Sequence, residues 1–245
     1  MNSGRDFKTF TLHEAHFRIT ESAFAEAVME IRRQRSILEG YLEEHPGFVK
    51  SLTPLPAAEN APEMVRRMTE AAAAVGVGPM AAVAGTFAHL AAQAAEAAGV
   101  KDIIVDNGGD LYMLLDRPAV TGIYSGGSFG PDMLAFLVTP EDTPASICSS
   151  SSTLGHSLSF GRCDLATVVS SDGALADAAA THLANLIQGP EDLEKSLETI
   201  TSIPGIRGAL AIIGDRIGAA GKLPRIIRVD PSALVNRVTR HPDSR

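Results

Sequence analysis

Asp177 and Thr181 stand four residues apart in an alanine-rich stretch, and they are the first candidates for chemistry in this chain. On a helix that spacing puts both side chains on one face. A carboxylate and a hydroxyl are hard oxygen donors of the kind Mg²⁺ takes, with water and phosphate completing its shell. The small neighbours leave room for a ligand; a solvated polar face is the plainer alternative. The second candidate is Asn107-Gly108-Gly109-Asp110, between two apolar runs. Adjacent glycines let backbone N–H groups approach a ligand and form an anion-binding nest. Asn-Gly is also the strongest short signal for a hairpin turn. The third is the run Ser149 to Ser157, which holds Ser151, Ser152, Thr153, Gly155 and His156. Its hydroxyls suit phosphate or ribose, and a histidine titrates near neutrality as a general base must. Only hydroxyls neighbour His156 in sequence, so no triad can be assembled from it. A surface loop with a structural histidine is the alternative.

The elements that must position these residues follow from hydrophobic spacing. Phe10 and Leu12, then Phe17 and Ile19, alternate at period two across His13-Glu14-Ala15, which predicts an N-terminal hairpin. Phe24, Val28, Ile31, Leu38 and Leu42 form one helical stripe that stops before Pro46-Gly47. Pro54, Pro56 and Pro62 mark a loop, with Pro62 as the first residue of the next helix. That helix carries Met64, Val65, Met68 and Val75, and an alanine-rich helix runs from Pro79 to Ala98. Strands are expected at Ile103–Val105, Leu111–Leu114, Val120–Tyr124, Met133–Val138 and Leu165–Val169. The stretch from Cys148 to Gly161 reads as a polar segment. Helices follow at Gly173–Ile187 and Glu191–Ser202, then strands at Leu210–Ile213 and Ile226–Val229. Steady βαβα alternation is missing. The fold class is therefore α+β, one domain over residues 1–245, with a mainly antiparallel sheet and long helices packed on it.

Composition narrows the function. The 29 acidic against 21 basic residues give a net charge of −8, so nucleic acid is not an expected partner. No apolar run approaches the roughly 20 residues that span a bilayer, so no membrane is expected either. Cys148 and Cys163 have neither disulfide-framework nor zinc spacing and read as small buried hydrophobes. The N-terminus lacks the apolar core and cleavage site of a signal peptide. A reducing, cytoplasmic setting is the expectation.

The candidate pieces, in this order, resemble the ApbE superfamily of flavin transferases. Its pattern has a DLGxxAKG helix start, a GGD turn after a strand, a TSG segment and a helix with ADAxAT. Here the matching stretches are Gly78 to Gly85, Gly108-Gly109-Asp110, Ser152 to Gly155 and Ala176 to Thr181. The resemblance covers about Ala71 to Ile187. VGVGPMAAVAG, VDNGGDLY, SSTLGHSLSFG and ALADAAATHLAN are similar to a smaller ApbE-like family of anaerobic bacteria and methanogens. Some of its members are associated with sulfide assimilation into homocysteine.

That resemblance implies a T-fold-like architecture and transfer of FMN from FAD to a protein hydroxyl with Mg²⁺. Asp177 and Thr181, with the backbone carbonyl near Ala81, would hold the metal. Gly108, Gly109, Asp110 and the loop of Ser151, Ser152, Thr153 and Gly155 would contact the nucleotide. Asp177 and His156 would serve catalysis. Two departures bear on transfer: the family's Lys before Gly is Ala84, and its HxxDPxTG segment has no counterpart. The resulting expectation is a small-molecule nucleotide, FAD or a relative, bound with Mg²⁺, with little FMN transfer. A protein acceptor and an oligomer stay open as partners. An accessory role in sulfide assimilation, using Cys148 or Cys163, and a non-catalytic binding module are the alternative readings.

Overall fold

The computed structural model describes residues 4–123, 133–151 and 161–229. The N-terminal hairpin pairs β1 (Phe7–Leu12) with β2 (Ala15–Thr20), turning at His13. Helix α1 (Phe24–Glu44) buries the stripe Ala27, Ile31, Leu38 and Tyr41, and the short α2 (Gly47–Lys50) follows. Helix α3 (Glu63–Val75) starts one residue after Pro62, which is its N-cap rather than its first residue. It ends on Gly76 at φ 80°, the left-handed cap a glycine adopts without strain. The alanine-rich helix is broken into a 3₁₀ turn (Pro79–Ala82) and α4 (Val83–Ala97).

The remaining elements in chain order are β3 (Ile103–Asn107), β4 (Asp110–Leu114), β5 (Ala119–Ile123), β6 (Met133–Val138), β7 (Ala145–Ser150) and β8 (Leu165–Ser170). Helices α5 (Gly173–Leu186) and α6 (Leu193–Thr201) follow, then β9 (Ile206–Ile213), β10 (Arg216–Gly221) and β11 (Arg225–Val229). Eight strands form one antiparallel sheet in the order β1-β2-β3-β4-β7-β8-β9-β10. A second antiparallel sheet has the order β11-β6-β5. The fold is α+β.

The centre of the large sheet is covered on both faces, so β3, β8 and β9 read as buried runs rather than alternating ones. Ile103, Val105, Tyr112, Cys148, Ala166, Val168, Ala209 and Ala211 belong to the core shared with the helices. Their neighbours Ile104, Met113, Ile147, Leu165, Leu210 and Ile212 pack with Ala119, Ile123, Phe136 and Val138 of the small sheet. Small side chains on the helix side let α4 and α5 lie close to the strands. No single described helix is long and apolar enough to cross a membrane.

Strand β7 differs from expectation, since its first half lies ahead of the polar segment and its second half inside it. Its serines tolerate a central position because their hydroxyls find partners. Ser146 Oγ donates to the Leu111 carbonyl at 2.9 Å, and Ser149 Oγ lies 2.9 Å from Thr167 Oγ1. Strand β10 was also unexpected: four of its six residues, Arg-Ile-Gly-Ala-Ala-Gly, are glycine or alanine, and it is largely exposed.

Candidate functional site

Two glycines bring the helix starts together. A Cβ on Gly85 would collide with the Gly173 carbonyl and with Asp177 Cβ. A Cβ on Gly173 would collide with the Gly85 carbonyl and with His89 Cβ. Asp172 caps α5 by accepting from the Leu175 N–H at 3.1 Å. The Gly173 N–H donates to Nδ1 of buried His89 at 3.2 Å. Burial lowers the His89 pKa to about 4, so the ring is a neutral acceptor, stacked 4.1 Å from Tyr112.

This crossing sets Asp177, one turn into α5, against the first turn of α4. Asp177 Oδ2 accepts from the Gly85 N–H at 2.8 Å, and the Ala84 N–H also bonds the carboxylate. The first N–H groups of a helix lack intrahelical partners. Asp177 therefore caps α4 from a distant part of the chain. Asn107 joins the same corner, its Nδ2 donating to the Ala84 carbonyl at 3.2 Å.

The Asn107–Asp110 turn is a true hairpin between β3 and β4, with Asn107 paired to Asp110. Gly108 and Gly109 take φ of 68° and 110°, which a two-residue hairpin loop requires. Asp106 Oδ1 accepts from the Gly109 N–H at 2.9 Å and braces the turn. The hairpin also sits beside the α4 start, so the two readings of the motif coexist.

Asp110 is buried on the helix side of the sheet. Its Oδ1 accepts from the Ser149 N–H at 3.2 Å, and the Cys148 thiol lies against it. Burial pushes its pKa up to about 7, with the Asp106 charge adding to the rise; the Ser149 N–H and Cys148 oppose it. Asp177 is raised well above the usual carboxylate range, by burial first and then by the Asp110 charge, against the Gly85 and Ala84 N–H groups. No lysine or arginine among the described residues lowers either group. Asp177 keeps part of its surface accessible.

Of the expected residues, the structure therefore brings Gly108, Gly109, Asp110 and Asp177 to one corner. Thr181 is half-buried one turn along α5 from Asp177. Ala81 lies in the 3₁₀ turn ahead of α4, its N–H donating to the Gly78 carbonyl at 3.1 Å. Ser151 is buried at the end of β7. Ser152, Thr153, Gly155 and His156 lie outside the described residues. No group of three His, Cys, Asp or Glu side chains with metal-holding geometry occurs among the described residues.

Sequence reasoning missed Asn107 as a tether and Ser150 as a buried residue. Ser150 Oγ is buried without a hydrogen-bond partner among the described residues. Period-two alternation from Cys148 was the available signal. Both cysteines are free and buried, as expected. Burial drives the Cys148 thiol well above its ordinary value and Cys163 to about 11. Neither is poised as a thiolate.

Residues 14–201 match the family model described as AbpE bacteria. The chain belongs to that family. It is 44% identical over 226 residues to a UPF0280 protein of Methanosarcina barkeri, covering 88% of this chain and 89% of that one. It is 42% identical to a UPF0280 protein of Archaeoglobus fulgidus, covering 84% and 86%. Among solved structures it is similar to the apo Pseudomonas stutzeri flavinyl transferase ApbE, with TM-score 0.53, 14% identity and coverage of 90% and 96%. The ApbE protein of Thermotoga maritima gives TM-score 0.50 at 11% identity, covering 95% and 100%. At such identities the likeness establishes the fold, which is that of ApbE proteins.

Proposed function

We propose that the corner formed by the start of α4, the β3–β4 turn and α5 binds a flavin nucleotide, or a similar phosphorylated small molecule, through Mg²⁺. The observation that carries this reading is the pair Asp110 and Asp177, brought to one corner with no cationic side chain among the described residues to offset them. Like charges in a low dielectric disfavour each other's ionised forms. A divalent cation removes that conflict.

The donor set fits a hard cation. It consists of carboxylate, hydroxyl and carbonyl oxygens, while the nearby Cys148 thiol is held protonated and offers no soft ligand. Asp177 would hold the ion with the oxygen lone pairs its two backbone donors leave free. Thr181 and the Ala81 carbonyl would complete the protein ligands, as the family resemblance implies. When bound, Mg²⁺ neutralises a pyrophosphate and the charge developing on a leaving phosphate. The chain's own groups do the positioning. Asn107 ties the turn to α4, and exposed Gly108 leaves its backbone open to a phosphate or ribose. A carboxylate repels phosphate, so Asp110 serves the cation or a ribose hydroxyl instead.

FMN transfer to a protein acceptor needs a further group that positions the acceptor hydroxyl. Ala84 stands where the transferases carry lysine, and the HxxDPxTG segment has no counterpart. Misplacement of about 1 Å costs roughly a hundredfold in rate. The reading is therefore cation-assisted nucleotide binding with little FMN transfer. Free buried thiols fit a reducing compartment such as the cytoplasm.

A thermal-shift titration with FAD, FMN and ADP, each with and without Mg²⁺, tests this. Stabilisation by at least one nucleotide, larger with Mg²⁺, is expected. The absence of any shift, with or without metal, overturns it. Incubation with FAD, Mg²⁺ and a flavinylation target, read by mass spectrometry, tests the second part. Robust FMN addition would show that another group replaces the missing segment.

A further inference from the structure

We infer that Asp110 and Ser150 form the sheet-side wall of the cation site, so that the ion is held between two carboxylates rather than by Asp177 alone. The inference rests on the reading above that this corner takes a divalent cation. It adds residues that neither the helix spacing nor the family resemblance assigns to the metal.

The placement follows from strand register. Leu111 pairs with Ile147 in the antiparallel β4–β7 ladder, which sets Asp110 opposite Cys148. Tyr112 stacks on His89 of α4, so the side chain two residues away, Asp110, shares that helix-facing side. Cys148 lies within 3.9 Å of the Gly173 carbonyl at the start of α5, which places it on the same side. Ser150 is the next residue of β7 on that side. One sheet face thus offers Asp110 and Ser150 to the helix that carries Asp177.

Two observations show that this wall is incomplete without a ligand. Among the described residues Asp110 has only the Ser149 N–H and the Cys148 thiol as hydrogen-bonding partners, and it opposes another carboxylate. Ser150 is 6% exposed, and its hydroxyl has no partner among the described residues. Buried hydroxyls are nearly always hydrogen-bonded, and an orphan calls for an explanation. Ser146 and Ser149 on the same strand show that this fold readily pairs a buried or half-buried serine. An ion, or a water in its shell, supplies what Ser150 lacks, and the same ion offsets the two carboxylates.

The test uses the full chain with Mg²⁺ or Mn²⁺ alone, at constant pH and ionic strength. Affinity is read by calorimetry and by the shift in melting temperature. Asp110→Asn keeps the acceptor for the Ser149 N–H but removes the charge. It is expected to weaken cation affinity by about a hundredfold, and Ser150→Ala by about tenfold. Both variants should melt no lower than the wild type in the absence of cation, because each removes an unmet group. A merely structural role predicts the reverse: lower melting and unchanged affinity. Wild-type binding that is lost in Asp177→Asn but unaltered in Asp110→Asn overturns this inference and leaves the proposed function standing. No wild-type binding of either ion overturns both. Should Asp110→Asn fail to fold, Ser150→Ala decides, and unchanged affinity in that variant overturns the inference.

Discussion

The two ends of β3 carry acidic side chains in opposite circumstances. At its start, Asp102 is clasped by Arg5, whose Nε and Nη2 reach the two carboxylate oxygens at 2.7 and 2.8 Å. Arg117 adds a second guanidinium at 3.5 Å. Burial raises the Asp102 pKa, but the arginines more than offset this and hold it below the usual carboxylate range. Beyond the other end, Asp110 and Asp177 have no arginine or lysine among the described residues and are both raised. The difference separates a carboxylate whose charge the scaffold balances from a pair whose charges no described arginine or lysine balances. Burial is common to both ends; charge balance is not.

Removing the clasp should give the largest effect. The Arg5 side chain is 3% exposed, so Asp102→Ala removes the countercharge of a buried guanidinium and leaves it only the Pro118 and Arg117 carbonyls among the described residues. Breaking such a pair costs about 3–5 kcal/mol. Urea denaturation should show that loss, with cation affinity unchanged in the fraction that stays folded. A loss below about 1 kcal/mol would erase the contrast between the two ends.

Acid distinguishes the regions next. Burial depresses the folded pKa of His89 to about 4 from the ordinary histidine value of about 6.5. The unfolded chain therefore binds a proton first, and stability falls as pH drops from about 6.5 to about 4. That depression corresponds to about 3 kcal/mol. His89→Asn keeps an acceptor for the Gly173 N–H but does not titrate. The stability difference between wild type and this variant should shrink by that amount between pH 7 and 4, measured by urea denaturation at each pH. The Asp102 clasp holds through this window, since its depressed carboxylate loses stability only as pH falls below its unfolded value. A pH-independent difference would place the His89 ring in water.

The fold was more legible than the site, for reasons visible in particular residues. Stripes such as Ile31-Leu38 and the alternation of Phe17 and Ile19 respond to a local rule, one face buried and one wet. Strand β7 obeys no such rule. Its serines are polar by type and buried by pairing, and pairing is decided by β4 and β8. The Arg5–Asp102 clasp joins residues 97 apart, which no spacing reveals. Asp177 was found because Thr181 shares its helix face, but its capping of α4 depends on the Gly85–Gly173 crossing. Ser150 was hidden inside a serine run in which only the strand register separates one hydroxyl from the next.

Asp177→Asn should sharpen the contrast from the site's side. Asparagine keeps an oxygen for the Gly85 N–H, and a lost cap costs only about 1 kcal/mol in any case. Removing one of two like charges works in the opposite direction. Stability without cation should therefore change by no more than about 1 kcal/mol, while the Mg²⁺-dependent shift disappears. A large loss of stability with the shift retained would make Asp177 a scaffold residue like Asp102.

The smallest effect is expected at two glycines that differ only in what they face. Gly108 and Gly214 each end a strand at positive φ, 68° and 58°, and a Cβ on either would meet nothing within 4 Å. Alanine at either position should cost about 1 kcal/mol for the left-handed conformation. Gly214 turns between β9 and β10, where Asp164 Oδ2 accepts its N–H, with β7 and β8 lying between it and β4. Gly108 turns between β3 and β4 beside the α4 start. If the β3–β4 turn is only a hairpin, the two substitutions lower stability alike and leave nucleotide affinity untouched. If a phosphate or ribose approaches its backbone, Gly108→Ala weakens nucleotide binding and Gly214→Ala does not, at matched loss of stability. Calorimetric titration of FAD or ADP with Mg²⁺ into both variants measures the difference. Equal affinities would remove Gly108 from the binding surface and leave Asp110 and Asp177 to carry it.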